Sequence, residues 1–137
     1  HASYPIASYS KSTPNLDMPL STYRLKMNGR KVFNLVMTEI PLSISKTLKI
    51  NKLKINDIHY FALHQGSEYM LNNLTNKLQI DNKKVLKNLS KVGNTVSSSI
   101  PILLSEFLDK NKNFKGKILL SGFGVGFSWG SCILSFD

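Results

Sequence analysis

The sequence predicts an α/β domain, and three observations carry that assignment. From Asn28 onward Val32, Leu35, Val36, Ile40, Ile44 and Leu48 recur at helical spacing, which gives one long helix an apolar face. The apolar run over residues 58–64 is too short for a helix and reads as a buried strand delivering His64 to the end of a sheet. Two β-rich runs, 117–121 and 131–136, flank a glycine-rich segment near the end of the chain. Helices of this kind bury their apolar stripe by packing on a sheet.

Residues 1–23 carry three prolines (Pro5, Pro14 and Pro19), many serines and no periodicity. They read as an irregular lead-in holding the remnant of a first strand, and residues 24–137 as one domain. The long helix runs to about residue 50, with Pro41 as a kink or local break. After the strand, Ser67 is placed as an N-cap with Glu68 in the first turn of a helix reaching about residue 78. Asp81 opens a short helical turn through residue 85. A further helix begins just after Asn94 and reaches about residue 110, carrying Ile100, Leu103, Leu104 and Phe107 on one side and bent or interrupted by Pro101. The last two β runs pair as antiparallel neighbours at the end of the sheet.

A chain of 137 residues suits one domain with a single core. No apolar run approaches the roughly 20 residues that span a bilayer, and the first residues lack the basic-then-apolar layout of a signal peptide. A cytoplasmic protein with no membrane partner is therefore expected. The single cysteine, Cys132, excludes an internal disulfide and reads as a buried small hydrophobe without a cation or helix N-terminus to activate it. His/Cys/Asp ligand spacing is lacking, so no metal is expected. Eighteen Lys and Arg against eight Asp and Glu leave a formal charge of +10, which favours anionic partners. The lysines alternate with core positions and form no arm or recognition helix, which argues against nucleic acid. A solvated lysine-rich surface accounts for much of the charge.

Three segments carry the chemistry: Tyr60-Phe61-Ala62-Leu63-His64-Gln65-Gly66, then Gly93-Asn94-Thr95, then Gly122-Phe123-Gly124-Val125-Gly126-Phe127-Ser128-Trp129-Gly130. A histidine at a strand end offers an acid, a base or a neutral N–H donor near neutral pH. Gly-Asn-Thr is also good turn and cap chemistry, and paired glycines also suit a tight hairpin. His59 at the start of the strand is expected to face solvent.

In this order and spacing, the segments resemble the C-terminal half of β-ketoacyl-acyl-carrier-protein synthase III, which reads HQAN, GNTS and FGxGxxWG at these places. Met27-Asn28-Gly29-Arg30-Lys31-Val32-Phe33 is similar to that family's MNGxxVF helix start. The resemblance implies the C-terminal half of a thiolase-like fold, a mixed sheet flanked by helices. It also implies a decarboxylative condensation of acyl-coenzyme A with malonyl-carrier-protein. His64 and Asn94 match the two donors that stabilise the oxyanion formed on decarboxylation. The Val125 backbone N–H matches part of a second oxyanion hole, framed by Gly124 and Gly126. Gln65, Ser67, Phe123, Gly124 and Gly126 are expected around the substrate, with Phe127 lining the pocket or filling core and Trp129 acting as a core anchor. Coenzyme A or phosphopantetheine thioesters enter as substrates and no cofactor is covalently bound.

The family's cysteine nucleophile lies in an N-terminal half, which is therefore expected as a partner, together with an acyl carrier protein and a second copy in a homodimer. Helix faces carrying Leu35, Val36, Leu103 and Leu104 are expected to bury against other subunits or the missing half. Alone, this chain is expected to be inactive. HQAN has become His64-Gln65-Gly66-Ser67, exchanging an amide that meets the pantetheine arm for a hydroxyl, and Tyr69 stands where fatty-acid starters often carry arginine. The first departure alters the contacts expected with the arm, and the second points toward a specialised homologue. A non-catalytic module of the same fold that holds an acyl carrier or partner protein, or an acyltransferase homologue, is the alternative.

Overall fold

The computed structural model describes residues 7–9, 25–124 and 127–137. In chain order the elements are β1 (Ala7–Tyr9), β2 (Leu25–Met27), α1 (Gly29–Ile50), β3 (Tyr60–Leu63), α2 (Glu68–Lys77), α3 (Leu89–Val92), α4 (Ser99–Lys110), β4 (Gly116–Gly124) and β5 (Ser128–Phe136). Short 3-10 turns at Ile55–Asp57, Asn82–Lys84 and Val96–Ser98 join them.

The central sheet is mixed, with strand order β3-β4-β5. β3 runs parallel to β4, pairing Tyr60 with Ile118 and Leu63 with Ser121, while β5 returns antiparallel beside β4. Side chains alternate across the sheet. Phe61, Leu63 and Leu119 therefore face one layer with Val36, Ile40 and Ile44 of α1 and Leu71 and Leu74 of α2. Ala62 and Ile118 face the other, against Leu103 of α4. A separate two-stranded antiparallel sheet joins β1 to β2. β1 falls within the irregular lead-in but belongs to this separate sheet, and the expected remnant of a first strand at His1 to Tyr4 lies outside the described residues, as do the rest of 1–6 and 10–24.

Several helix ends follow from their capping residues. The Asn28 side chain accepts from the Lys31 N–H at 3.0 Å and opens α1. Ser67 caps α2 by accepting from the Met70 N–H, and Asp81 caps its turn by accepting from the Lys83 N–H. Neither proline breaks the helix that contains it. α1 continues unbroken through Pro41 because Ile40, Ile44 and Leu48 on either side are held in the core. Pro101 falls in the first turn of α4, where a backbone N–H has no intrahelical acceptor to lose.

The last two strands are longer than expected. Both extend into the glycine-rich segment, pairing Gly122 with Gly130, Phe123 with Trp129 and Gly124 with Ser128. The segment is a hairpin whose arms belong to the sheet. At the other end of β4, the His59 backbone N–H donates to the Lys117 carbonyl and the Lys117 N–H donates to His59 Nδ1 at 3.0 Å. His59 is exposed, and its ring fills the place where a Cβ on Gly116 would stand, 2.8 Å from that position, at a φ of +140°. Only glycine fits there.

Two burial expectations are corrected. Cys132 is exposed because β5 is an outer strand and this residue points away from the α1 layer. Val36 and Leu103 are buried within this chain's own core, Leu104 packs against it and Leu35 is half-buried, so these positions are already largely covered within the chain. The large exposed apolar side chains among the described residues are Leu42, Ile50, Tyr69, Val92, Val96, Trp129 and Leu134. Among the described residues, no helix is long and apolar enough to cross a membrane.

Candidate active site

The parallel pairing of β3 with β4 brings His64 beside the glycine-rich arm. Its backbone N–H continues the ladder by donating to the Ser121 carbonyl at 2.9 Å. Its ring meets Phe123 edge-on, with centroids 4.9 Å apart. Nδ1 lies 2.8 Å from the hydroxyl of Ser99, the first residue of α4. Burial lowers the His64 pKa from its ordinary value of 6.5, since the protonated ring would lose hydration without a nearby anion to replace it. At neutral pH the imidazole is uncharged.

Asn94 reaches the same cavity from the loop between α3 and α4. Its Oδ1 accepts from the Val96 N–H at 2.9 Å, which orients the amide. Its Nδ2 makes only a long 3.4 Å contact to the Gly66 carbonyl. Such a bond is weak, so the amide has donor capacity left for a ligand.

His64 and Asn94 line one cavity of about 700 Å³. Val32 of α1, Met70 of α2 and Ile100 of α4 supply apolar walls. Phe123, Phe127 and Trp129 form a chain of aromatic contacts leading outward from His64, with successive centroids 6.4 and 5.3 Å apart. Ser67, Gly122, Gly124 and Gly130 complete the sides. A cavity largely apolar with a few convergent polar groups can hold a thin apolar arm and present donors to one atom of it.

Two expected roles change. Gln65 is fully buried and does not line the cavity: its Nε2 donates to the Leu63 carbonyl at 2.8 Å and, more weakly, to that of Leu86, while its Oε1 accepts from the Asn88 N–H at 3.3 Å. The strand alternation that turns His64 toward the cavity turns its neighbour inward. Trp129 is not a core anchor but 43% exposed, at the wall of the cavity. Val125 and Gly126 lie outside the described residues. Cys132 does not line the cavity.

Ser99 was not legible as a site residue. A serine one residue before Ile100-Pro101 looks like ordinary helix-start chemistry, and only its distance from His64 distinguishes it. Among the described residues, no three His, Cys, Asp or Glu side chains converge as metal ligands do.

Residues 48–136 match the family model for 3-oxoacyl-[acyl-carrier-protein] synthase III, C terminal. The chain is 39% identical over 114 residues to the β-ketoacyl-[acyl-carrier-protein] synthase III of Streptococcus gordonii, covering 81% of this chain and 35% of that protein. With the enzyme of the same name from Lactococcus lactis it shares 35% identity over 135 residues, covering 95% and 41% respectively. Among solved structures, the synthase III of Thermus thermophilus superposes with a TM-score of 0.82 at 26% identity, covering 96% of this chain and 42% of that one. That of Pseudomonas aeruginosa gives 0.77 at 30% identity, covering 85% and 36%. The chain thus spans well under half the length of these relatives, and its mixed sheet with flanking helices is part of the thiolase fold they share. By sequence match and by fold, the chain belongs to the 3-oxoacyl-[acyl-carrier-protein] synthase III family and corresponds to its C-terminal domain.

Proposed function

We propose that this domain supplies the decarboxylating donors of a synthase III-like enzyme that condenses acyl-coenzyme A with malonyl-carrier-protein. The observation carrying this reading is the presence of His64 and Asn94 on one apolar cavity, with the imidazole held neutral by burial. Loss of carbon dioxide from a malonyl thioester breaks the bond to the carboxylate and leaves the electron pair as an enolate, whose charge sits on the thioester oxygen. A neutral His64 N–H and the Asn94 amide N–H suit that oxygen, and the apolar walls make each donor stronger than it is in water. The enolate carbon then attacks an acyl group carried on a cysteine, expelling the thiolate.

That cysteine comes from a separate cysteine-bearing region, since Cys132 is away from the cavity. The Val125 N–H joins the cysteine's own N–H around the acyl oxygen. Ser67, Phe123, Gly124 and Gly126 border the pantetheine arm, and the thioesters are substrates with no covalently bound cofactor. An acyl carrier protein, a homodimer partner and a cytoplasmic setting complete the reading. Its support is the family membership and the net positive surface, which suits an acidic carrier.

The test joins this chain to a cysteine-bearing synthase region and measures carbon dioxide released from malonyl-carrier-protein. His64→Ala or Asn94→Ala lowers the rate by roughly two to three orders of magnitude, the usual cost of one oxyanion donor, with acyl transfer to the cysteine affected less. Unchanged decarboxylation in both variants overturns the assignment in favour of a non-catalytic acyl-carrier-binding module. The 137-residue chain alone leaves acyl-coenzyme A intact. Turnover through an acylated Cys132, detected by mass spectrometry, also overturns it.

A further inference from the structure

We infer that Ser99 is a positioning residue that sets the tautomer of His64, holding the proton on Nε2. The argument is one of donor counting. Ser99 is 1% exposed, and His64 Nδ1, 2.8 Å away, is the hydrogen-bond partner of its hydroxyl among the described residues. If Nδ1 carried the proton and donated to Ser99 Oγ, the hydroxyl hydrogen would be buried with no acceptor. An unpaired buried donor is costly, and the reverse arrangement leaves none. The hydroxyl therefore donates to an unprotonated Nδ1. Because the imidazole is neutral, its single proton resides on the other nitrogen.

Nε2 lies on the side of Gly66, 3.6 Å from where a Cβ on that residue would stand, and Gly66 lines the cavity. The opposite tautomer would present a lone pair there and repel a developing oxyanion. A single chain segment supplies both halves of this arrangement. Asn94 opens it, the 3-10 turn Val96–Ser98 leads into α4, and Ser99 closes it. The amide and the group that orders the imidazole are thus mounted together at the start of α4. The consequence for catalysis rests on the proposed decarboxylation, whereas the tautomer itself does not.

The test is nitrogen-15 NMR of the full chain with labelled histidine, His64 being assigned by the loss of its signals in His64→Gln. At neutral pH the parent protein shows Nε2 protonated and Nδ1 unprotonated with the shift of a hydrogen-bonded acceptor. Ser99→Ala moves the Nδ1 resonance, through loss of that bond or appearance of the second tautomer, and Ser99→Thr, which keeps the hydroxyl, returns it toward the parental position. A proton on Nδ1 in the parent overturns the inference without any variant, as does a His64 spectrum unchanged in a folded Ser99→Ala protein. If the tautomer is as stated while His64→Ala still decarboxylates at the parental rate in the joined enzyme, the functional reading fails and the positioning role of Ser99 stands.

Discussion

The Val96 N–H donates to Asn94 Oδ1 at 2.9 Å while Val96 itself holds a φ of +54°. A β-branched side chain is poorly suited to that region, and its 67% exposure shows that little packing rewards it. The strained residue lies two positions from the amide proposed to bind the oxyanion, so the geometry of Asn94 is maintained at a local cost to stability.

Relief of that strain should be measurable. A residue in such a conformation costs roughly 1–3 kcal/mol, and the added freedom of glycine in the unfolded chain offsets about 0.4–1 kcal/mol of any gain. Val96→Gly should therefore raise stability by about 1 kcal/mol, or roughly 2–5 °C in Tm for a chain of this size. Calorimetry of the two proteins at one pH checks this. A lower Tm for Val96→Gly would mean that the valine side chain makes contacts that outweigh its backbone strain.

Gln65 provides a test of scaffold against substrate contact. Gln65→Leu leaves the buried Asn88 N–H without its acceptor and removes the donor to the Leu63 carbonyl. Each buried group left unpaired costs about 1–3 kcal/mol, so urea unfolding should show a loss of about 2–4 kcal/mol. An equally stable variant that binds malonyl-coenzyme A more weakly would return Gln65 to the substrate's surroundings.

Acid should weaken the fold through His64. Its folded pKa is below 6.5 because of burial, so the unfolded chain takes up a proton at a higher pH than the folded one. The contribution is fully present above about pH 6.5 and is lost progressively as pH falls below that value toward the folded pKa. Unfolding midpoints measured from pH 8 to pH 5 should thus decline less in His64→Gln than in the parent. Parallel profiles for the two proteins would show that His64 titrates alike in both states.

Periodicity and capping chemistry determine much of this protein locally. The spacing from Val32 to Leu48 specifies the apolar face of α1, Ser67 and Asp81 start the turns they cap, and the short apolar run ending at Leu63 is a strand because it has too few residues for a helix. The order of the His64, Asn94 and glycine segments likewise identifies the family without coordinates. Other features depend on what lies across the sheet. Cys132 is exposed because β5 is an outer strand, whereas Gln65 is buried because the pleat turns it opposite to His64 and onto Leu86 and Asn88, more than twenty positions away. Pro41 and Pro101 leave their helices unbroken because core packing holds one together and first-turn placement makes the other harmless. Ser99 touches His64 only because the parallel pairing of β3 and β4 brings that strand end against the start of α4. A hydrogen bond between residues 35 positions apart depends on the fold, since local sequence governs torsion angles and tertiary packing governs which side chains meet.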